Sequence, residues 1–190
     1  MTTWKIDPAH TDVSFSAKHM MITTVRGKFA QVEGELELDE SEPRNSRATI
    51  RVAAASLSTG FDQRDQHLRS ADFFDAETHP WITVTTTAIE PQDDGTYDVR
   101  ADVTIRGATK PVTFEVDYLG TTPGMRGGRH AGFTAKAKVN RKDWGLNWNM
   151  ALEAGGWLVG DDIKLEIDVA ADEVAATAEE AHSVAAGAAA

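Results

Sequence analysis

The chain has 190 residues, 41% of them hydrophobic and 26% charged, which is the balance of a globular domain and excludes disorder of the whole chain. With 30 acidic against 19 basic residues the formal net charge is -11, so the surface repels phosphate backbones and anionic headgroups, and nucleic acid is excluded as an expected partner. There is no cysteine, which removes disulfides, thiolate nucleophiles, cysteine zinc sites and iron–sulfur clusters.

The opening MTTWKIDPAHTDVSF lacks the basic segment, the apolar run and the small-residue cleavage site of a secretory signal, so a cytoplasmic protein is expected. Nowhere do about 18 apolar residues run together, so no membrane-spanning helix is expected. WKID and TDVSFSAK, with Val13, Phe15 and Ala17 on one side, begin a series of segments that alternate apolar and polar residues, as half-buried strands do. VRGKFAQVEGELEL continues it, RATIRVA turns Ala48, Ile50 and Val52 one way, and WITVTTTAI follows from Trp81. YDVRADVTI aligns Tyr97, Val99, Ala101, Val103 and Ile105, and VTFEVDY aligns Val112, Phe114, Val116 and Tyr118. FTAKAKV aligns Phe133, Ala135, Ala137 and Val139, and DIKLEIDVA sets Ile163, Leu165, Ile167 and Val169 against Lys164, Glu166 and Asp168. The pattern predicts about eight or nine strands. The turn signals DESEPRNS, PQDDG, RGATKP and TTPGMRGGRH are short, which makes sequential neighbours antiparallel and a meander the simplest topology. One dry face and one wet face suit either a barrel or a sandwich. Small residues on the dry face, Gly34, Ala48, Ala101, Ala135 and Ala137, would leave room for a ligand in a barrel or pair with bulky partners in a sandwich. Alternation leaves that choice open.

Two interruptions carry helix signals. In FDQRDQHLRSADFFD, residues 61–75, Asp62 can cap a helix, Asp65 and Arg69 are spaced for an ion pair, and Leu68, Phe73 and Phe74 form an apolar side. One reading is a short amphipathic helix that closes one end of the fold. In the other, Arg64 or His67 lines a cavity mouth, where the arginine fork suits a phosphate or carboxylate. Ser70, His67 and a neighbouring aspartate could be drawn as a triad, but no GxSxG nucleophile elbow occurs. His10, His19, His67, His79, His130 and His182 show no HxH, HExxH or facial-triad spacing, which leaves only a metal site assembled in space. The second interruption, residues 139–162, holds Trp144, Trp148 and Trp157, readable as core or as a ligand belt, with Asn140, Arg141 and Asp143 as rim residues. RGGR at residues 126–129 reads as a flexible basic turn, and no glycine-rich phosphate loop is present. The alanine-rich tail has helix propensity and little apolar surface to dock, so residues 172–190 are expected outside the domain as frayed helix or disorder.

Five segments together resemble the YceI-like, lipocalin-like domain proteins. They are WKIDPAHTDVSFSAKHMMITTVRGKF, STGFDQRDQHLRSADFFDAETHPWITV, ADVTIRGATKPVTFEV, GFTAKAKVNRKDWGLNW and GDDIKLEIDV, in that order. The resemblance implies that residues 1–171 form an all-β, antiparallel, lipocalin-like barrel of about eight strands with one or two short helices. It implies a tunnel for a long-chain amphiphilic lipid: a polyisoprenoid, an isoprenoid quinone or an isoprenyl pyrophosphate. The apolar chain would meet Phe15, Phe29, Phe73, Trp81, Phe133 and Trp144, Leu68 would help seal the interior, and His19, Arg64 and His67 would meet the head group. The expected role is binding without catalysis, cofactor or metal; an enzyme acting on an isoprenoid or fatty amide is the alternative. A homodimer is compatible with the resemblance.

Overall fold

The alternating segments form strands in a computed structural model of the chain, which describes residues 1–124, 127–153 and 155–174. The strands are β1 (Thr2–Ile6), β2 (Asp12–His19), β3 (Thr23–Phe29), β4 (Val32–Leu38), β5 (Arg47–Ala53) and β6 (Leu57–Ser58), then β7 (Trp81–Pro91), β8 (Tyr97–Ile105), β9 (Ala108–Pro123), β10 (Arg129–Asn140) and β11 (Val159–Glu173). One α-helix among the described residues, α1 (Asp62–Arg69), lies between β6 and β7.

Neighbouring strands are antiparallel throughout. β4, β5, β7, β8, β9, β10 and β11 follow one another around the sheet, and β1 pairs with both β4 and β11, closing a barrel of 8 strands. Closure decides between the two architectures that alternation allowed, and it removes the exposed edges of the ring. β11 is long enough to take two partners along one edge. Its C-terminal end pairs with β1, through Trp4, Lys5 and Ile6, and its N-terminal part pairs with β2, from Ile163 opposite Ala17 to Asp168 opposite Asp12.

β1 and β2 therefore act as one bent stave, and β3 and β4 as its partner. The bend at residues 7–11 is stitched to β11: Asp7 N–H donates to the Ala170 carbonyl at 2.8 Å, and Ala170 N–H donates to Thr11 Oγ1 at 3.1 Å. Beyond the bend β3 leaves the line of β5. The gap is filled by β6, which pairs with β3 through Lys28–Ser58 and Phe29–Leu57, and by α1. Two glycines make the close approaches possible. A Cβ at Gly34 would come within 2.6 Å of the Thr49 carbonyl oxygen, and one at Gly27 within 2.4 Å of the Phe15 ring, so the glycines admit β5 and that ring respectively.

Apolar burial is strongest at the two ends and along part of β8 and β9, at Ala101, Val112 and Phe114. Trp4, Ile6, Leu36, Ala131 and Ala171 pack at one end, and Phe29, Leu57, Phe73, Ile82, Trp144 and Leu146 at the other. Between them the inward residues Phe15, Val84, Val99, Val116, Phe133 and Leu165 are only partly buried. These partly buried residues line the hollow of the interior. On the wet face short-range ion pairs such as Arg47–Glu37, Arg51–Glu33 and Lys138–Asp162 cross between strands, each contributing little.

β11 runs beyond the expected domain boundary: Asp172 and Glu173 still pair with Lys5 and Trp4 of β1. The tail residues 175–190 and Arg126 of the RGGR turn lie outside the described residues.

Candidate functional site

The barrel encloses a cavity of about 730 Å³. Its walls are the inward faces read from the alternation, among them Ile50, Val84, Val99, Phe114, Ile163 and Leu165. Polar side chains are few and gather mainly near the ends, Lys18, His19, Thr59, Arg64 and His67 at the α1 end and Asp39, Glu40, Arg47 and Tyr118 at the opposite end, with the Thr11 and Thr86 hydroxyl side chains between them. A fully packed interior is thereby excluded, and the cavity has the size common to small-molecule sites.

The α1 end is a lid tied down by side-chain hydrogen bonds. Phe61 occupies the N-cap without a side-chain cap, so Asp62 is the first helical residue and not the cap. Asp65 is 4% exposed and accepts from Thr59 N–H at 2.8 Å and from the Thr59 hydroxyl. Burial works to raise its carboxyl, and the Thr59 donors outweigh this and hold it below the usual carboxylate range. The expected Asp65–Arg69 ion pair does not form. Arg69 donates to the Leu57 carbonyl, because backbone groups exposed by the short β6 offer each charged group a partner that need not be desolvated twice. Arg64 donates through Nε to Thr59 Oγ1 at 2.7 Å and through Nη2 to the Thr59 carbonyl at 3.0 Å, with the rest of its fork unpartnered among the described residues. Ser70 donates to the His67 carbonyl at 2.7 Å, so its hydroxyl ends the helix and is not presented as a nucleophile.

Aromatic rings carry the lid into the tunnel. His67 stands edge-on to Trp148 at 4.5 Å and to Phe73 at 5.2 Å between centroids, while its Nε2 meets Asp72 at 2.8 Å. Phe74 meets Phe29 at 5.7 Å, and Phe29 meets Phe15 at 5.5 Å. Arg106, in the β8–β9 turn, donates to the Phe73 carbonyl at 3.3 Å and anchors the segment from across the barrel.

Arg141 and Trp144 build the other wall of this end. The Arg141 side chain is 4% exposed, and donates to Gly160 O at 3.0 Å, to Trp148 O at 2.9 Å, to Leu146 O and to Asp161 Oδ1 at 3.1 Å. Burial pulls its pKa down and Asp161 partly restores it. Leu146, Trp148, Gly160 and Asp161 are thus gathered around a single guanidinium. Trp144 Nε1 donates to Val103 O at 2.9 Å and its ring faces the cavity. Trp148 also lines the cavity, whereas Trp157 is 53% exposed, so the three tryptophans do not form a belt.

At the opposite end Arg129 forks onto Glu173, with Nε to Oε2 at 3.0 Å and Nη2 to Oε1 at 3.2 Å, and reaches Glu40 at 2.8 Å. Its guanidinium lies 5.1 Å from the centroid of the buried Trp4 ring. Tyr118 donates to Glu40 at 3.1 Å and stacks on Phe133. Arg129 holds the Glu40 and Glu173 carboxyls below their usual range, and burial followed by Glu40 raises the Tyr118 phenol. Arg129, the last residue of the basic turn, is here a clamp.

Of the residues singled out from the sequence, Phe15, His19, Phe29, Arg64, His67, Leu68, Phe73, Phe133 and Trp144 all line the cavity. Trp81 does not. Ile82 and Val84 take the inward positions of β7, which sends Trp81 outside, 38% exposed, with the Arg51 guanidinium 4.9 Å from its ring centroid. Tyr118 and Arg129 were not among the expected ligand residues, and Arg141, read from the sequence as a rim residue, is a buried clamp. The one sequence signal for Arg141 is a cation set among tryptophans, which does not distinguish a buried clamp from a rim.

Residues 4–171 match the family model of the YceI-like domain. The chain is 35% identical over 167 residues to a UPF0312 protein of Staphylococcus epidermidis, covering 87% of this chain and 95% of that one. It is similar to the solved YCEI protein of Campylobacter jejuni, at 30% identity and TM-score 0.70, with 88% of this chain and 96% of that one covered. The fold is shared with a polyisoprenoid binding domain from Saccharophagus degradans, at TM-score 0.67 and 14% identity, covering 92% of this chain and 100% of that one.

Proposed function

We propose that this chain, which belongs to the YceI-like family, carries or sequesters a long-chain amphiphilic lipid in its barrel without transforming it. The observation that carries the reading is the cavity of about 730 Å³, predominantly apolar along its length with its charged side chains gathered near the ends. Such a space matches a molecule with a long hydrocarbon body. Each methylene withdrawn from water contributes about 0.8 kcal/mol, so a chain of ten or more carbons offsets a large part of the roughly 4–15 kcal/mol that immobilising a ligand costs.

A polyisoprenoid, an isoprenoid quinone or an isoprenyl pyrophosphate fits these requirements, and the Saccharophagus degradans neighbour, described as polyisoprenoid binding, supports that class. The head group would lie at the α1 end, where Arg64 has donors to spare and His19 and His67 flank it. The same proposal has the carrier acting in the cytoplasm and pairing as a homodimer, which cell fractionation and sedimentation of the purified chain would check.

Solvent extraction of the purified protein followed by mass spectrometry is the direct test. A stoichiometric long-chain lipid is expected, and an empty extract together with no uptake of added isoprenoids would remove the proposal. The enzymatic alternative draws on the His67–Asp72 pair, 2.8 Å apart beside the cavity. It predicts turnover of an isoprenoid or fatty amide that His67→Ala abolishes; lipid recovered chemically unchanged after prolonged incubation favours carriage.

A further inference from the structure

A second group of functional side chains lies outside the cavity, on the outer face of the seam where β1 and β11 close the barrel. The bend between β1 and β2 carries Asp7 and His10, with Oδ2 and Nδ1 2.6 Å apart. Across the seam His130 on β10 and Asp172 on β11 are paired in register, Nδ1 to Oδ1 at 2.7 Å. The two imidazole rings meet edge to face with centroids 6.3 Å apart. One donor atom each from Asp7, His130 and Asp172 lies within 4.8 Å of the others. Asp172 also opposes Lys5 of β1 in the ladder, yet its carboxylate is bonded to His130.

We infer that Asp7, His10, His130 and Asp172 form a binding site for a divalent transition-metal ion of the zinc class. Two imidazole nitrogens and two carboxylate oxygens are a donor set that zinc accepts in tetrahedral geometry, and imidazole disfavours magnesium and calcium. Two carboxylates neutralise the dication. The ion takes the Nδ1 lone pairs in place of the two histidine–carboxylate hydrogen bonds, each ring keeping its one proton on Nε2 and any second proton passing to solvent. Zinc–ligand bonds of about 2.0–2.2 Å set tetrahedral donors about 3.4 Å apart, so the three grouped donors draw together by on the order of 1 Å. The His10 side chain, 73% exposed, can swing to complete the set.

The position gives such an ion a structural role. β1 meets β11 through only the Trp4, Lys5 and Ile6 pairings, and the ion would join the bend beyond Ile6 to β10 and β11 across that short ladder.

The test is calorimetric titration of the purified full chain with zinc chloride, with cobalt(II) absorption as the geometric readout. The expected result is saturable binding of one ion per chain, visible d–d bands from tetrahedral cobalt, and a melting temperature raised by a few degrees at saturation but unmoved by magnesium. His130→Ala and Asp7→Asn should each weaken zinc binding by about tenfold or more, and His182→Ala in the tail should leave it unchanged. His10→Ala, at an exposed ring, serves if either of these variants fails to fold. No saturable binding below about 100 μM zinc, binding undiminished in His130→Ala or His10→Ala, or binding lost on His182→Ala would each overturn the inference.

Discussion

The two ends of the tunnel are closed by different interactions. At the opposite end from α1, Arg129 clamps Glu40 and Glu173 beside the buried Trp4, where β1, β4, β10 and β11 come together in the strand ladders. At the α1 end there is no continuous ladder to close the gap between β3 and β5. Closure depends on a short helix, an aromatic row and single side chains that satisfy backbone groups: Asp65 and Arg64 at Thr59, Arg69 at Leu57, Arg106 at Phe73, and Arg141 at Gly160, Leu146 and Trp148. An end built on strand ladders opens only with the barrel. An end built on tethers can open by itself, which makes the α1 end the natural entrance for a ligand.

The contrast can be broken most severely at Arg141. Arg141→Ala removes a buried donor to three carbonyls, while the part-exposed Asp161 keeps Lys142 at 2.8 Å, so a loss of about 2–4 kcal/mol in urea-unfolding stability is expected. Asp65→Ala removes the acceptor of the part-buried Thr59 N–H and should cost about 1–2 kcal/mol. If the α1 end is the entrance, hydrogen exchange in residues 57–75 should rise in this variant while β10 and β11 stay protected.

Arg64→Ala sharpens the functional side of the contrast. Affinity for a lipid with an anionic head group should fall about tenfold, while an uncharged chain of equal length binds unchanged. Unchanged affinity for the anionic lipid would remove Arg64 from the head-group site. At the other end the prediction is in pH. Glu40 and Glu173 are held below the glutamate value of the unfolded chain, about 4.3, so their contribution to stability is present above that value and is lost as pH falls through their folded values. Unfolding midpoints taken downward from about pH 5 should therefore fall more steeply in the natural protein than in Arg129→Ala. The smallest effect is expected at Trp81, outside the cavity: Trp81→Ala should change stability by about 0.5–1 kcal/mol, through its exposed contact with Arg51, and should leave lipid uptake unaltered.

Much of the fold was legible because a barrel wall imposes a period of two on its residues. Ile163, Leu165, Ile167 and Val169 line the cavity as their alternation requires. Trp81 was misplaced by taking its size as the signal, although the parity of Ile82 and Val84 in the same strand already sends it outward. The Asp65–Arg69 pair followed from helical spacing alone and gave way to Thr59, a partner that helical spacing does not report. Cross-strand groups are the least visible of all. Glu40, Arg129 and Glu173, like Asp7, His130 and Asp172, meet only when distant strands are in register, so no spacing in the sequence brings them together.

The double pairing of β11 also governs how the chain reaches this state. Every other ladder of the meander joins strands close in sequence, but β11 must find β1 and β2, so ring closure waits for residues at opposite ends of the described chain to meet. During synthesis the earlier strands therefore emerge as an open, curved sheet with an unpaired edge on β2, and the tunnel does not exist until the last strand leaves the ribosome. Refolding from denaturant should show the same order. Early strand formation would be followed by a slower step, on the order of milliseconds to seconds, in which ligand-binding capacity and protection of β1 appear together.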